Sequence, residues 1–233
     1  MPNLITQNPL LDELLKNGAI ILSTHDTNYG VDYRAAFQAA LSQGSAINYP
    51  TRSGKEVTVA ISDGGNHIEV TDALAETNAL FWASLTPDGV LQLGLYSRDD
   101  DGNTLHNDLF ANDFFLSTAN WFGLENIQAV DGAWSELSSN TRSVNNRIEE
   151  IILNGIQTEE VPLVDAIRHT FTAKMAAKLG FTEVIIINTT PDPNNPGKYL
   201  NMNVRFKRPS NPTSLNSDSL PYYSELKLMK AKI

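Results

Sequence analysis

From about Asn48 to Tyr96 the apolar residues fall on every second position, and glycine-bearing turns interrupt them twice. Val57, Val59 and Ile61 alternate with polar neighbours as far as Asp63-Gly64-Gly65-Asn66, and Ile68 and Val70 resume the alternation beyond it. Leu80 to Leu85 and Val90 to Tyr96 flank Pro87-Asp88-Gly89 in the same way. A period of two sets one face of a strand on a core and the other in water, and glycine accepts the positive φ that tight hairpin turns demand. The stretch therefore predicts two antiparallel hairpins in one sheet.

Helical spacing surrounds this sheet. Asn8-Pro9 is a helix-start signal, followed by Leu10, Leu11, Leu14 and Leu15 on one face and closed by Gly18; a short strand, Ala19 to Leu22, comes next. Asp32 opens a helix with the stripe Tyr33, Ala36, Phe37, Ala40 and Leu41, stopped at Gly44. Asn112 to Phe122 is an aromatic-rich helix, and Gly123 to Leu137, with Trp134, reads as an irregular hinge. Two helices are expected over about Ser139–Asn154 and Thr158–Leu179, then strands Thr182–Thr189 and Tyr199–Arg208 joined by a Pro- and Asn-rich loop. Pro209 to Pro221 is a polar arm, followed by a short segment with Leu226 and Leu228.

The fold class that follows is α+β: an antiparallel sheet of hairpins with flanking helices, and a C-terminal helical pair packed on a two-stranded hairpin. Helices and strands do not alternate as βαβ units, which argues against a doubly wound sheet. The expected division is residues 1–130, 131–208 and an arm 209–233, within either one domain or two.

With 41% hydrophobic residues in a chain of 233, a full core can be buried, so disorder is excluded. The absence of cysteine removes disulfide scaffolds, thiolate zinc sites, iron–sulfur clusters and thiol nucleophiles, and leaves the compartment open. The opening MPNLITQNPLL lacks the basic start and long apolar run of a secretory signal, and the longest tidy apolar run, Val184 to Ile187, is far below membrane-span length. Cytoplasmic synthesis, with export only within a larger assembly, and no membrane contact are expected.

Charge is unevenly placed. Residues 198–233 hold seven basic side chains (Lys198, Arg205, Lys207, Arg208, Lys227, Lys230, Lys232) against Asp218 and Glu225, a surplus of five on a chain whose net charge is −10. With Arg168, Lys174 and Lys178 on the preceding helix, this forms a basic module on an acidic body. Arg168, Arg205, Lys207 and Arg208 are the candidate binding residues. The module fits a protein partner or a second copy of the chain better than nucleic acid, because the total charge repels a polyanion at long range.

Specific catalytic signatures are missing. There is no GxSxG elbow, no GxxxxGK[ST] and no GxGxxG. The four histidines, His25, His67, His106 and His169, show no spacing that places two on one helix face, so no metal site is expected. Asp99-Asp100-Asp101-Gly102-Asn103 approaches a calcium loop, but Ser97 would be its first ligand and Asp108 its last, and a solvated turn is the better reading. Glu149-Glu150 and Glu159-Glu160 are adjacent pairs that diverge on a helix. The one dense cluster is Arg168-His169-Thr170-Phe171-Thr172-Ala173-Lys174. On a continuous helix His169 and Thr172 pair at i, i+3 and Lys174 lies within a turn, so His169, Thr172 and Lys174 are the candidate catalytic residues of a metal-independent phosphoryl chemistry.

Two resemblances add to this. Ala177 to Val184, a helix ending in Leu179-Gly180-Phe181 before a strand, resembles the end of a GNAT-type acyltransferase, although that family's coenzyme-binding glycine loop has no counterpart in this sequence. The succession Trp134, Ser139-Asn140, Asn154-Gly155, Thr170-Phe171-Thr172-Ala173-Lys174, Gly180-Phe181 and Pro196-Gly197-Lys198-Tyr199 before Val204-Arg205-Phe206 resembles C-terminal modules of bacterial polymorphic toxin proteins, with Ala173 where their pattern has glycine. That resemblance implies a bacterial or phage setting for residues 134–206. The leading expectation is a non-catalytic binding or assembly domain acting through the basic module, with no cofactor and with His169 in a buried apolar setting. The alternatives are a toxin-like nuclease or other effector enzyme centred on His169, and an acyltransferase.

Overall fold

The computed structural model describes residues 30–44, 46–51, 54–72, 80–95, 109–153 and 161–209. The N-terminal helix and strand, His25, His106, the aspartate-rich turn and the arm from residue 210 onward lie outside the described residues. In chain order the elements are α1 (Tyr33–Gln43), β1 (Ile47–Pro50), β2 (Glu56–Ser62), β3 (His67–Asp72), β4 (Phe81–Leu85), β5 (Val90–Leu95), α2 (Ala111–Phe122), β6 (Ala129–Trp134), α3 (Ser139–Leu153), α4 (Val161–Arg168), α5 (Phe171–Lys178), β7 (Glu183–Pro191) and β8 (Tyr199–Lys207).

The predicted hairpins form: Ile61 faces Ile68 and Val59 faces Val70 across β2 and β3, and Phe81 faces Leu95 across β4 and β5. All eight strands make one sheet in the order β1-β2-β3-β4-β5-β6-β8-β7. Helices on one side and a mainly antiparallel sheet make the fold α+β, as the patterning implies.

Three expectations are corrected. Gly123–Leu137 is not a hinge throughout: Ala129–Trp134 is strand β6, hydrogen-bonded between β5 and β8 near the middle of the sheet. Its pairing with β5 is parallel, so one crossover through α2 does occur in a sheet otherwise built of antiparallel neighbours. The helix expected over Thr158–Leu179 is two helices. Thr170 is extended (φ −69°, ψ 160°) and N-caps α5: its side chain accepts the Ala173 N–H at 3.2 Å and donates to the Ile167 carbonyl at 2.7 Å.

Val57, Val59, Ile68, Val70, Phe81, Leu91, Val130, Val204 and Phe206 line the covered face of the sheet and share one core with Phe37, Phe114, Val144, Ile167 and Met175 of the helices. That core and that sheet run across the boundary expected near residue 130. Phe114 of α2 packs on Phe81 at 5.3 Å, and the Trp121 indole donates to the Gly65 carbonyl at 3.0 Å, which ties α2 to the β2–β3 turn. Leu41, placed in the stripe of α1, is half exposed instead.

The other face is polar. Ser62, His67, Ser84, Gln92, Asp131 and Arg205 stand opposite one another in a row across six strands. Two tryptophans lie against glycine. A Cβ on Gly94 would sit 1.9 Å from the Trp82 indole nitrogen, on the polar face, and one on Gly132 would sit 2.6 Å from that of Trp134, on the core face. Only glycine permits either approach.

Candidate functional site

Helix α3 presents polar residues at helical spacing toward the α4–α5 junction. Ser139, Arg142, Ser143, Asn146, Arg147 and Glu150 line one side of an open groove of about 700 Å³, and His169 and Lys174 line the other. Two asparagines of α3 tie that helix to its neighbours. The Asn140 amide donates to Thr172 Oγ1 at 2.9 Å, and its oxygen accepts the Phe171 N–H at 3.1 Å, fastening the start of α5 to α3. Asn145 does the same for β8, donating to the Tyr199 carbonyl at 2.9 Å and accepting the Tyr199 N–H at 3.0 Å.

Arg147 is fixed within the groove. It donates to Glu150 at 3.1 Å and to Asp165 at 3.4 Å, and these contacts, the Glu150 hydrogen bond foremost, raise its pKa above the ordinary arginine value. The His169 Nδ1 lies 2.8 Å from the Asp165 carbonyl and 3.8 Å from its carboxylate. A carbonyl can only accept, so Nδ1 carries the hydrogen, and the Nε2 of the neutral ring keeps its lone pair. Arg142 reaches the Leu137 carbonyl at 3.3 Å, and Lys174 is in no ion pair among the described residues.

The residues singled out from the sequence separate into five places. His169 and Lys174 do meet in the groove, but His169 is exposed (48% of its side chain), which corrects the buried apolar setting expected for it. Thr172 is buried and bound to Asn140, so the i, i+3 pair with His169 does not form; the break at Thr170 turns the two side chains apart. Arg168 is exposed on the last turn of α4 and does not line the groove.

The basic strand does not present a patch. Arg205 makes a bidentate pair with Asp131 at 2.7 and 2.8 Å on the polar face of the sheet, and that hydrogen bonding raises its pKa. Because Val204 and Phe206 point into the core, Arg205 and Lys207 project from the face opposite the helices and the groove. Arg208 is structural: its guanidinium donates to the Ile127 and Leu124 carbonyls at 2.9 and 2.7 Å and lies 4.3 Å over the Phe181 ring. Burial lowers its pKa below the ordinary value. Lys198 pairs with Glu149 at 3.2 Å. Among the described residues, Arg205 and Arg208 thus hold β8 and the chain after it, while Lys227, Lys230 and Lys232 of the expected basic module lie outside the described residues.

Sequence reasoning missed Arg142, Ser143, Asn146 and Arg147. Their signal was present as a polar stripe at i+3, i+4, i+7 and i+8 from Ser139, although that spacing alone names no chemistry.

A second surface is the outer edge of β7. This strand is nine residues long, and Ile186 and Ile187 are 36% and 50% exposed. A bulge between Ile186 and Asn188 leaves Ile187 without a partner on β8. The opposite edge, β1, has four residues and ends in Pro50.

Among the described residues no group of three or more His, Cys, Asp or Glu side chains is placed to hold a metal ion, and no helix is long and apolar enough to cross a membrane. No protein family, no curated protein and no solved structure matches this chain.

Proposed function

We propose that this chain is a non-catalytic assembly domain that joins a second copy of itself through the outer edge of β7, in the bacterial or phage setting implied by the resemblance of residues 134–206. The observation that carries the reading is the contrast between the two sheet edges. Natural sheets blunt their edges with short strands, proline, charge or bulges, because a free row of N–H and C=O groups templates pairing. The β1 edge has shortness and Pro50. The β7 edge also ends in a proline, Pro191, and is bulged, but it is nine residues long, carries a single charge at Glu183 and exposes Ile186 and Ile187 at the bulge.

The strand is also its own complement. In an antiparallel pair about a two-fold axis between Ile186 and Ile187, Glu183 meets Thr190 and Ile186 meets Ile187, so no like charges oppose. Light scattering across a concentration series tests this. A dimer that Ile187→Lys converts to monomer with unchanged far-ultraviolet circular dichroism is the expected result. A parent protein that stays monomeric at the highest concentration reached, or an Ile187→Lys variant that dimerises equally well, removes the reading.

One observation favours a second reading, a metal-independent effector enzyme. The fixed tautomer of His169 leaves Nε2 as a base in the same groove as Lys174. RNA cleavage in EDTA that disappears in a folded His169→Ala variant is the outcome this reading requires.

A further inference from the structure

We infer that the groove between α3 and the α4–α5 junction binds a small ligand bearing a phosphate monoester. Of its cations, Arg147 is already shared between Glu150 and Asp165, which orients it while cancelling most of its field. Among the described residues Arg142 and Lys174 are not cancelled: the first bonds to a backbone carbonyl and is in no ion pair, and the second is in no ion pair either. The groove thus holds positive charge in excess on a chain of net charge −10. A guanidinium fork and a mobile ammonium suit an anion with several equivalent oxygens. Neutral donors from Ser143 and Asn146 and the ring of His169 line the same groove.

The number of cations selects the monoester over a polyanion. Nucleic acid requires a run of cations tracking successive phosphates. Of the basic residues on β8 and just before and after it, Lys198 pairs with Glu149, Arg205 with Asp131, and Arg208 with backbone carbonyls, while Lys207 projects from the sheet face opposite the groove.

The test is a titration of the full chain with inorganic phosphate and with a nucleoside monophosphate, followed by amide and imidazole chemical shifts at low salt. Saturable shifts confined to α3, the His169 ring and the first turn of α5 are expected. Arg142→Ala with Lys174→Ala, both at exposed positions, should weaken binding by about tenfold or more, whereas Ile187→Lys should leave it unchanged. The absence of saturation with either probe, equal affinity in the double variant, or tight binding of a single-stranded RNA oligomer without binding of the monoester would each overturn the inference.

Discussion

Replacing Asn140 by alanine removes two contacts that fasten α5 to α3, and their cost can be worked from the geometry. The Phe171 N–H is one of the amides at the start of α5 that has no partner within the helix, and it is met by Asn140 Oδ1 at 3.1 Å. The Thr172 hydroxyl, only 8% exposed, accepts from the Asn140 amide at 2.9 Å. Each hydrogen bond contributes about 1 kcal/mol net, and the buried hydroxyl left without its donor adds a fraction more, so Asn140→Ala should cost about 2–3 kcal/mol. For a chain of this size that corresponds to a fall in Tm of roughly 5–10 °C. Asn140→Asp isolates the cause. The carboxylate keeps the acceptor for Phe171, the Thr172 hydroxyl can rotate to donate to the new oxygen, and negative charge at the start of α5 is favourable by about 0.3–1 kcal/mol. The aspartate variant should therefore lie within about 1 kcal/mol of the parent. Thermal and urea melts followed by circular dichroism measure both. Asn140→Ala within about 0.5 kcal/mol of the parent, or Asn140→Asp falling as far as the alanine variant, would refute the assignment of Asn140 as the fastener.

Three further outcomes are expected. Gly132→Ala should destabilise by about 1–3 kcal/mol, because its Cβ meets the buried Trp134 indole at 2.6 Å, whereas Gly94→Ala should stay within about 1 kcal/mol of the parent because Trp82 can swing off the polar face; urea midpoints compare the two. Tyr33→Phe should stabilise by about 1 kcal/mol in the same assay, since the buried Tyr33 hydroxyl has no hydrogen-bond partner among the described residues. The Asp192 carboxylate accepts the Asn195 amide and the Asn194 N–H, which hold its pKa below the ordinary 3.8. The order this gives the β7–β8 loop is complete above the unfolded aspartate pKa and is lost as pH falls through the lowered value, so a carbon-13 titration of its carboxyl should show a midpoint under 3.8.

The local chemistry of the chain was legible where it is strong. Alternation and glycine turns placed β2 to β5, and Asp32, whose side chain accepts the Ala35 N–H at 3.1 Å, placed the start of α1. Strand β6 was illegible because Asp131 and Gly132 interrupt its apolar pattern. Both are explained only by distant partners: Arg205, far along the chain, neutralises the aspartate, and the Trp134 indole folds back over the glycine. The break between α4 and α5 was hidden in an apolar stripe that continues through it, with Thr170 differing from an ordinary helical threonine only in its capping bonds. Of the site, the pairing of His169 with Lys174 could be read from proximity in sequence. The internal use of Arg205 and Arg208 could not, because their acceptors, Asp131, Ile127 and Leu124, lie on other elements.

The parallel contact between β5 and β6 divides the sheet by the history of its formation. On one side, β1 to β5 can zip from turn to turn, each strand finding the one just made; on the other, β7 and β8 close as a hairpin. The seam at β6 has no turn to guide it and must wait for the chain between Leu95 and Ala129 to loop back. Closures over such long separations are the slow kind of contact to form. Before it happens, β5 and β8 each show the solvent an open flank that β6 will later fill, and a nascent chain stalled there would be most exposed to capture by the wrong neighbour.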